Sequence, residues 1–173
     1  MSTKNLPFEI RPTVPGDLQD LRRIYPAARA FMKATGNPNQ WGDIKPLETD
    51  LLSDMALGNG YLILQDGRPV GAFALIFGED PTYGRIDDGA WLDDQKPYAT
   101  IHRMGSDGTC HGVLKAAIDY AFCRIDNVRI DTHEDNRVMQ HLVTKYGFRR
   151  CGIIYLKNGD PRIAYQKLVE KTP

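Results

Sequence analysis

The fold of this chain is decided by YATIHRMGSDGTCHGVLKAAIDYAF, residues 98–122, and by VRIDT at residues 128–132. Residues 98–104 and 128–132 are typical of strands, and residues 105–108 of a turn. Between the strands, one helical face is apolar over Val113, Leu114, Ala117, Ile118, Ala121 and Phe122. A strand, a crossover helix and a second strand of one sheet form a parallel pair, because the crossover returns the chain to its starting end.

The segments on either side predict antiparallel partners. Residues 61–64 and 70–77 flank Asp66-Gly67, and residues 153–156 and 162–167 flank Asn158-Gly159. Both dipeptides favour the tight turn of a hairpin. With a short strand at residues 8–11, the sequence predicts an α/β fold whose central sheet is mixed and mostly antiparallel, with flanking helices.

The remaining helices are predicted from spacing and caps. Thr13 is a candidate N-cap for a helix whose apolar residues continue to Met32, and Pro26 should kink or split that helix. Residues 47–57 form a second predicted helix. A last helix is capped by Asp135 or Asn136 and ends near residue 146, before a glycine.

Composition excludes several classes of protein. The 173 residues predict one domain, residues 1–173, and 22 Lys and Arg balance 22 Asp and Glu, so no net field favours nucleic acid or a membrane surface. The longest apolar run, residues 72–77, is far shorter than the ~20 residues of a membrane helix. Three scattered cysteines without a secretory signal indicate a reducing compartment. We therefore expect a soluble, cytoplasmic monomer or homodimer that binds neither nucleic acid nor membrane.

The turn before the third predicted helix is a candidate anion site. Backbone N–H groups at a helix start attract phosphate, and Gly105, Gly108 and Gly112 let a bulky group approach. Ser106 and Thr109 add hydroxyl donors. The alternative is an ordinary helix start with glycine in its turn, and the loop alone leaves both open. Its spacing matches neither a P-loop, nor a dinucleotide fingerprint, nor a nucleophile elbow.

The order of elements, this loop, IDTHEDN at residues 130–136 and YGF at residues 146–148 together resemble the GNAT superfamily of acyl-CoA-dependent N-acyltransferases. The resemblance extends from Ile10 to Leu168. It implies that the parallel strands splay apart to admit the pantetheine of acetyl-CoA, and that Asn136 lies near this co-substrate. The pantetheine would be lined by Ile101, His102, Arg103 and Met104. The pyrophosphate would be bound by Ser106, Asp107, Gly108, Thr109, Cys110, His111, Gly112 and Val113.

Three positions depart from the family pattern. Asp107 stands where the family loop has Gln or Arg, and Cys110 stands where it has its first glycine. A carboxylate beside pyrophosphate is repulsive unless it points away. Val143 replaces a tyrosine that protonates the departing thiolate in many members. Either another group supplies that proton, or the thiolate leaves unassisted, or the chain is a poor catalyst.

Acetyl transfer to an amine needs a base, because a free amine is protonated at neutral pH. The candidates are His102, His133 and Glu134, of which the histidines titrate near neutrality. The alternative is that His133 caps the following helix and that His102 fills the core. Strand alternation predicts Ile101 and Arg103 on one face of the sheet, opposite His102.

The acceptor is the least determined part of the prediction. Residues 79–96 carry six acids against two bases, so this loop would favour a cationic amine, and its length indicates a functional loop or one ordered by a ligand. Trp41, Trp91 and Tyr83 could wall the acceptor pocket, or Trp41 could simply pack the second helix on the sheet. The histidine and cysteine spacings predict no metal site.

Three functions are consistent with these residues. The first is direct acetyl transfer from acetyl-CoA to a small cationic amine by an N-acetyltransferase. The second is a non-catalytic acyl-CoA sensor on the same fold, which the missing tyrosine favours. The third, a hydrolase built on Ser106 and a histidine, lacks the spacing of a nucleophile elbow.

Overall fold

The strands form a single seven-stranded sheet. The computed structural model describes residues 7–170. In chain order the elements are β1 (Phe8–Pro12), α1 (Leu18–Ala34), α2 (Glu48–Leu57), β2 (Gly60–Gln65), β3 (Arg68–Phe77), β4 (Ala99–Ser106), α3 (Val113–Phe122), β5 (Asn127–Thr132), α4 (Arg137–Lys145), β6 (Arg149–Tyr155) and β7 (Pro161–Leu168).

The sheet is antiparallel except at one seam. Its strand order is β1-β2-β3-β4-β5-β7-β6, and only β4 and β5 run parallel. Their ladder consists of two pairs, Ala99 with Val128 and Thr100 with Arg129. Beyond Thr100 the two strands diverge, which confirms the predicted mixed, mostly antiparallel sheet with a splayed parallel pair.

Apolar residues cover both faces of the sheet. The largest core cluster joins α3 and α4 to the strands, and a second joins α1 and α2 to them. In β2, Ile63 belongs to the first cluster while Leu62 and Leu64 belong to the second, so the two clusters lie on opposite faces. Within residues 7–170, no helix is both long and apolar enough to cross a membrane.

The first helix differs from its prediction. α1 continues through Pro26 without being split, and its buried side chains are Leu21, Ile24, Tyr25 and Ala28. Pro26 is exposed, so water can satisfy the backbone carbonyl that loses its helical partner. Thr13 is not the cap either.

The start of α1 is instead organised by Asp17. Its carboxylate accepts the Val14 N–H at 2.8 Å and pairs with Arg11. Thr13 is buried, and its backbone N–H donates to the Gly60 carbonyl. The turn into the first helix is therefore stabilised by an acid inside the turn.

A bulge in β4 changes which side chains face the site. The register with β3 shifts between Ala72 and Ala74, and Arg103 has a φ of 50°. Ile101 packs in the cluster of α3, whereas Arg103 reaches the opposite face and forms a bidentate pair with Asp54 of α2 at 2.6 and 2.7 Å. The prediction that Ile101 and Arg103 share a face is wrong, because the bulge interrupts the alternation.

Helix α1 holds this bulge in place. The Tyr25 hydroxyl donates to the Arg103 carbonyl at 2.6 Å. A Cβ atom at Gly105 would lie 2.9 Å from the Tyr25 ring, so only glycine permits this approach of α1 to β4.

Candidate active site

A cleft of about 430 Å³ opens where β4 and β5 diverge. Residues 101–104 of β4 form one wall, which is the wall predicted for the pantetheine, and Ile130 and Asp131 of β5 form another. The α1–α2 connection, Met139 of α4 and the β6–β7 turn complete the cleft. Its remaining lining residues are Asn39, Gln40, Trp41, Gly42, Asp43, Ile44, Lys45, Pro46, Asp50, Leu156, Asn158, Asp160 and Arg162.

His102 enters this cleft with a carboxylate partner. Its Nε2 lies 2.9 Å from Oδ2 of Asp80, in the loop before β4. Burial raises the pKa of Asp80, but hydrogen bonds from His102 and Thr82 lower it by more, to about 2. Asp80 thus stays ionised and orients the imidazole. The sequence offered no signal for this pair beyond the acidity of the loop, because its members are 22 positions apart.

Asp131 faces the cleft from β5. Its Oδ2 accepts the Tyr83 hydroxyl at 2.6 Å, and Tyr83 is 1% exposed, so this contact lies beneath the cleft. The Tyr83 ring lies 6.2 Å from the His102 ring. The buried Tyr83 therefore lies between His102 of β4 and Asp131 of β5, on the side away from the opening of the cleft. The sequence analysis did not single out Asp131 as a residue of this cleft.

The other two predicted bases lie elsewhere. His133 is not among the residues that line the cleft, and its Nδ1 accepts the backbone N–H of Asp135 at 3.0 Å. Glu134 is exposed and also does not line the cleft. The geometry at His133 matches the capping alternative, because the lone pair that a base needs is occupied by a backbone donor.

Asn136 connects α4 to the α1–α2 loop. Its Oδ1 accepts the Met139 N–H at 3.0 Å, and its Nδ2 donates to Gln40 Oε1 at 2.9 Å. Because Gln40 and Met139 both line the cleft, Asn136 supports the wall predicted to lie near the co-substrate.

The loop before α3 presents unpaired backbone donors. The N–H of Gly108 donates to Ser106 Oγ and that of Thr109 to Asp107 Oδ1. No described residue accepts a hydrogen bond from the N–H groups of residues 110–115, and no side chain caps Gly112 at the start of the helix. These donors lie at the positive end of the α3 dipole, an arrangement suited to phosphate.

Asp107 itself is paired within the protein. Its side chain is 2% exposed and lies 2.7 Å from Arg23 and 3.5 Å from Arg68. Burial raises the pKa of Asp107, but bonds from Thr109 and Arg23 lower it below its usual range. The two guanidinium groups offset the repulsion expected from an acid in this loop.

Two further departures from the family pattern have structural consequences. Cys110 is half-buried, and burial raises the pKa of its thiol, so it is poorly suited to act as a thiolate. Val143 is fully buried in the core cluster of α3 and α4. Among the described residues that line the cleft there is no tyrosine and no cysteine.

The acidic loop is ordered by the protein's own contacts. Arg129 of β5 stacks between Trp91 and Tyr98, 3.9 Å from each ring centroid. Trp91 and Tyr83 are buried in a third core cluster, so their predicted place in the wall of the acceptor pocket is wrong. Trp41 does line the cleft and contacts Tyr25 edge to face.

The acids of this loop also do not face the cleft. Asp80 pairs with His102, Asp87 with Arg85, Asp88 with Arg150 and Asp94 with Arg129. The carboxylates that line the cleft come from other segments, namely Asp43, Asp50, Asp131 and Asp160. Across residues 7–170, no cluster of His, Cys, Asp and Glu has the geometry to hold a metal ion.

Solved structures of acetyltransferases share this architecture. A GNAT-family acetyltransferase from Streptococcus agalactiae is 31% identical, with 96% of this chain and 100% of that chain covered at a TM-score of 0.84. A GNAT-family acetyltransferase from Listeria monocytogenes is 22% identical, with 98% and 99% covered at a TM-score of 0.69. Arabidopsis thaliana Naa50 in complex with the bisubstrate analogue CoA-Ac-MVNAL is 13% identical, with 94% and 99% covered at 0.55. The last two show likeness of fold alone. Neither a protein-family model nor a curated protein sequence matches the chain.

Proposed function

This chain belongs to the GNAT family of acetyltransferases, and from that premise we propose that it transfers an acetyl group from acetyl-CoA directly to the amine of a small cationic acceptor. The observation that carries the proposal is the divergence of β4 and β5, which opens a cleft that contains a carboxylate-paired histidine.

The residues present fit acetyl-CoA. The unpaired N–H groups of residues 110–115 and the hydroxyl of Ser106 offer donors to a pyrophosphate, whereas the Thr109 hydroxyl donates to Asp107. Residues 101–104 of β4 would line the pantetheine on its way between the strands. Beyond Thr100 the backbone of β4 has no ladder partner on β5, so its N–H groups can polarise a carbonyl oxygen placed there.

His102 is the base in this proposal. It is the only one of the three predicted candidates that lines the cleft, and Asp80 orients its ring as the carboxylate of a catalytic triad does. In the neutral form, the ring donates from Nε2 to Asp80 and keeps the Nδ1 lone pair for the proton of the acceptor ammonium.

Acetyl-CoA supplies an acyl group on a sulfur leaving group. The acceptor ammonium first loses one proton, which passes through His102 to solvent. A bond then forms between the neutral nitrogen and the acyl carbon, the bond from carbon to sulfur breaks, and a second proton moves from nitrogen to sulfur. His102 can take up that proton and return it to the thiolate. Because Val143 cannot donate and no described cleft residue is a tyrosine or cysteine, this one side chain would serve both steps.

The charges of the cleft support a cationic acceptor. Four carboxylates line it, of which Asp43 is paired with Lys33, and of the three cations Arg103 is paired with Asp54. The unpaired groups still have an excess of negative charge. Asp131 has the Tyr83 hydroxyl on Oδ2 only, which leaves Oδ1 for an ammonium. We assign this carboxylate to binding of the acceptor.

The test is thiol release from acetyl-CoA with a panel of amines of graded pKa. His102→Gln should lower kcat by about 100-fold or more, and most for the most basic amines, since a positioned base contributes about 10²–10⁴-fold. The matched control, His141→Gln, changes an exposed histidine outside the cleft and should leave the rate unchanged. An equal rate for the His102 and His141 variants would refute the role of His102.

The burial of Val143 specifically favours the second function, an acyl-CoA sensor. Two measurements distinguish the sensor from the enzyme: stabilisation by acetyl-CoA and release of thiol. A sensor would be stabilised by acetyl-CoA, by about 2.7 kcal/mol at a hundredfold excess over its Kd, and yet release no thiol with any amine. An enzyme would show both the stabilisation and the release.

A further inference from the structure

Arg162 lies in the wall of the cleft without an ion-pair partner in the described part of the chain. The residue is 6% exposed, and it is the second position of β7. Its guanidinium donates to the neighbouring Pro161 carbonyl at 2.8 Å and to the Gln40 carbonyl at 3.5 Å. It forms no ion pair with any carboxylate of residues 7–170. Burial lowers the pKa of Arg162 by more than the nearby carboxylates of Asp131 and Asp160 raise it.

Two other arginines of this part of the structure, the half-buried Arg103 and the buried Arg129, have carboxylate partners. Arg103 has the two oxygens of Asp54, and Arg129 has two aromatic faces and an oxygen of Asp94. A buried charge is costly unless an opposite charge accompanies it. Arg162 therefore differs from both in that none of its donors has a carboxylate oxygen of the described residues as a partner.

The sheet places Arg162 beside the proposed ammonium site. Asp131 of β5 pairs with Ala164 of β7, and Arg162 is two residues from Ala164 on the same face. Diagonal neighbours of this kind lie about 7–8 Å apart. An anion held by Arg162 would then lie within one small molecule's length of a cation held by Asp131.

We propose that Arg162 binds a carboxylate of the acceptor, so that the small cationic acceptor is a basic amino acid or a similar molecule that carries a carboxylate beside its amines. The inference rests on the proposed function and names its substrate class. A single guanidinium beside Asp131 and Asp160 suits a monoanion, because two nearby carboxylates would repel a dianionic phosphate.

The experiment compares each free amino acid with its own carboxamide as an acceptor in the thiol-release assay. The wild type should prefer the free acid, although the amide has the less basic amine and so the larger neutral fraction. Arg162→Gln should lower kcat/KM for the acid by about 10- to 100-fold and leave that for the amide unchanged. Arg162→Lys should retain part of the preference for the free acid over its carboxamide that Arg162→Gln loses. Arg150→Gln, at an exposed ion pair of β6, is the matched control and should behave as wild type.

Melting temperatures provide a readout that does not depend on activity. The preferred free amino acid should raise the melting temperature of the wild type but not that of Arg162→Gln. Without ligand, Arg162→Gln should melt no lower than the wild type, because it removes a buried charge that has no ion-pair partner within residues 7–170. A large drop in melting temperature would show instead that Arg162 is structural and would overturn the inference.

The outcomes separate the inference from the proposed function. Thiol release without preference for the acid overturns the carboxylate site and leaves the acetyltransferase standing. Absence of thiol release, together with amino-acid stabilisation of the wild type but not of Arg162→Gln, overturns the proposed function and supports the carboxylate site.

Discussion

Asp80→Asn should destabilise the protein in a way that depends on pH. The carboxyl of Asp80 has a pKa of about 2, against 3.8 for the unperturbed group, and its side chain is 18% exposed. A carboxyl with a lowered pKa stabilises the folded state above its unfolded pKa, and this stabilisation is lost as the pH falls through the folded value. The shift corresponds to about 2 kcal/mol at pH 6 and about 1 kcal/mol at pH 3.

The measurement is urea unfolding of wild type and variant at both pH values. At pH 6 the loss of about 2 kcal/mol should also lower the melting temperature by about 4–8 °C for a chain of this size. Asp88→Asn is the control in the same loop, since its side chain is 75% exposed and its pair with Arg150 contributes at most about 1 kcal/mol. The reasoning fails if Asp80→Asn unfolds like the wild type at pH 6, or if its deficit is as large at pH 3.

Three further changes test other parts of the structure. Gly112 has a φ of 84° and lies beside the unpaired N–H groups, so Gly112→Trp should abolish the rise in melting temperature that coenzyme A gives the wild type. An undiminished rise in the variant would refute the assignment of this loop to pyrophosphate binding. Asp54→Ala should lower the free energy of unfolding by about 3–5 kcal/mol, because it leaves the guanidinium of Arg103 without a partner. If urea titration shows a loss below about 1 kcal/mol, water replaces the carboxylate in the variant. Gly89→Ala should lower the free energy of unfolding by about 1–3 kcal/mol, since the new Cβ atom would collide with the Cys151 carbonyl oxygen. An unchanged free energy of unfolding would mean that the loop moves aside without cost.

Local patterns predicted most of the fold. Three features depend only on residues close in sequence: the turn at Asp66-Gly67, the apolar face of α3 and the crossover between β4 and β5. The spacing of apolar residues and the residue types of the turns were therefore sufficient to predict them. The splay of the parallel pair came from the family resemblance. Pro26 does not split α1, because it lies on the exposed face of the helix, which the sequence does not display.

The site was predicted less completely because its contacts join distant segments. Asp80 with His102, and Asp131 with Tyr83, are pairs that form only after the sheet has assembled. The bulge at Arg103 could not be predicted, because the usual sequence sign of a bulge, a glycine in the strand, is missing at that position. Residues 101–104 do line the cleft and the loop before α3 does present unpaired N–H groups, as one continuous motif indicated; that they bind acetyl-CoA stays a prediction.

The brevity of the β4–β5 ladder has a mechanical consequence. Two residue pairs join the four strands on one side of the seam to the three on the other. The loop of residues 78–98 crosses that seam, since Leu92 bonds to Gln166 of β7 and Trp91 stacks on Arg129. The stacking of Trp91 and Tyr98 on Arg129 therefore adds to the core cluster of α3 and α4 in holding the two halves of the sheet together, and loosening it would weaken the alignment of groups contributed from either side.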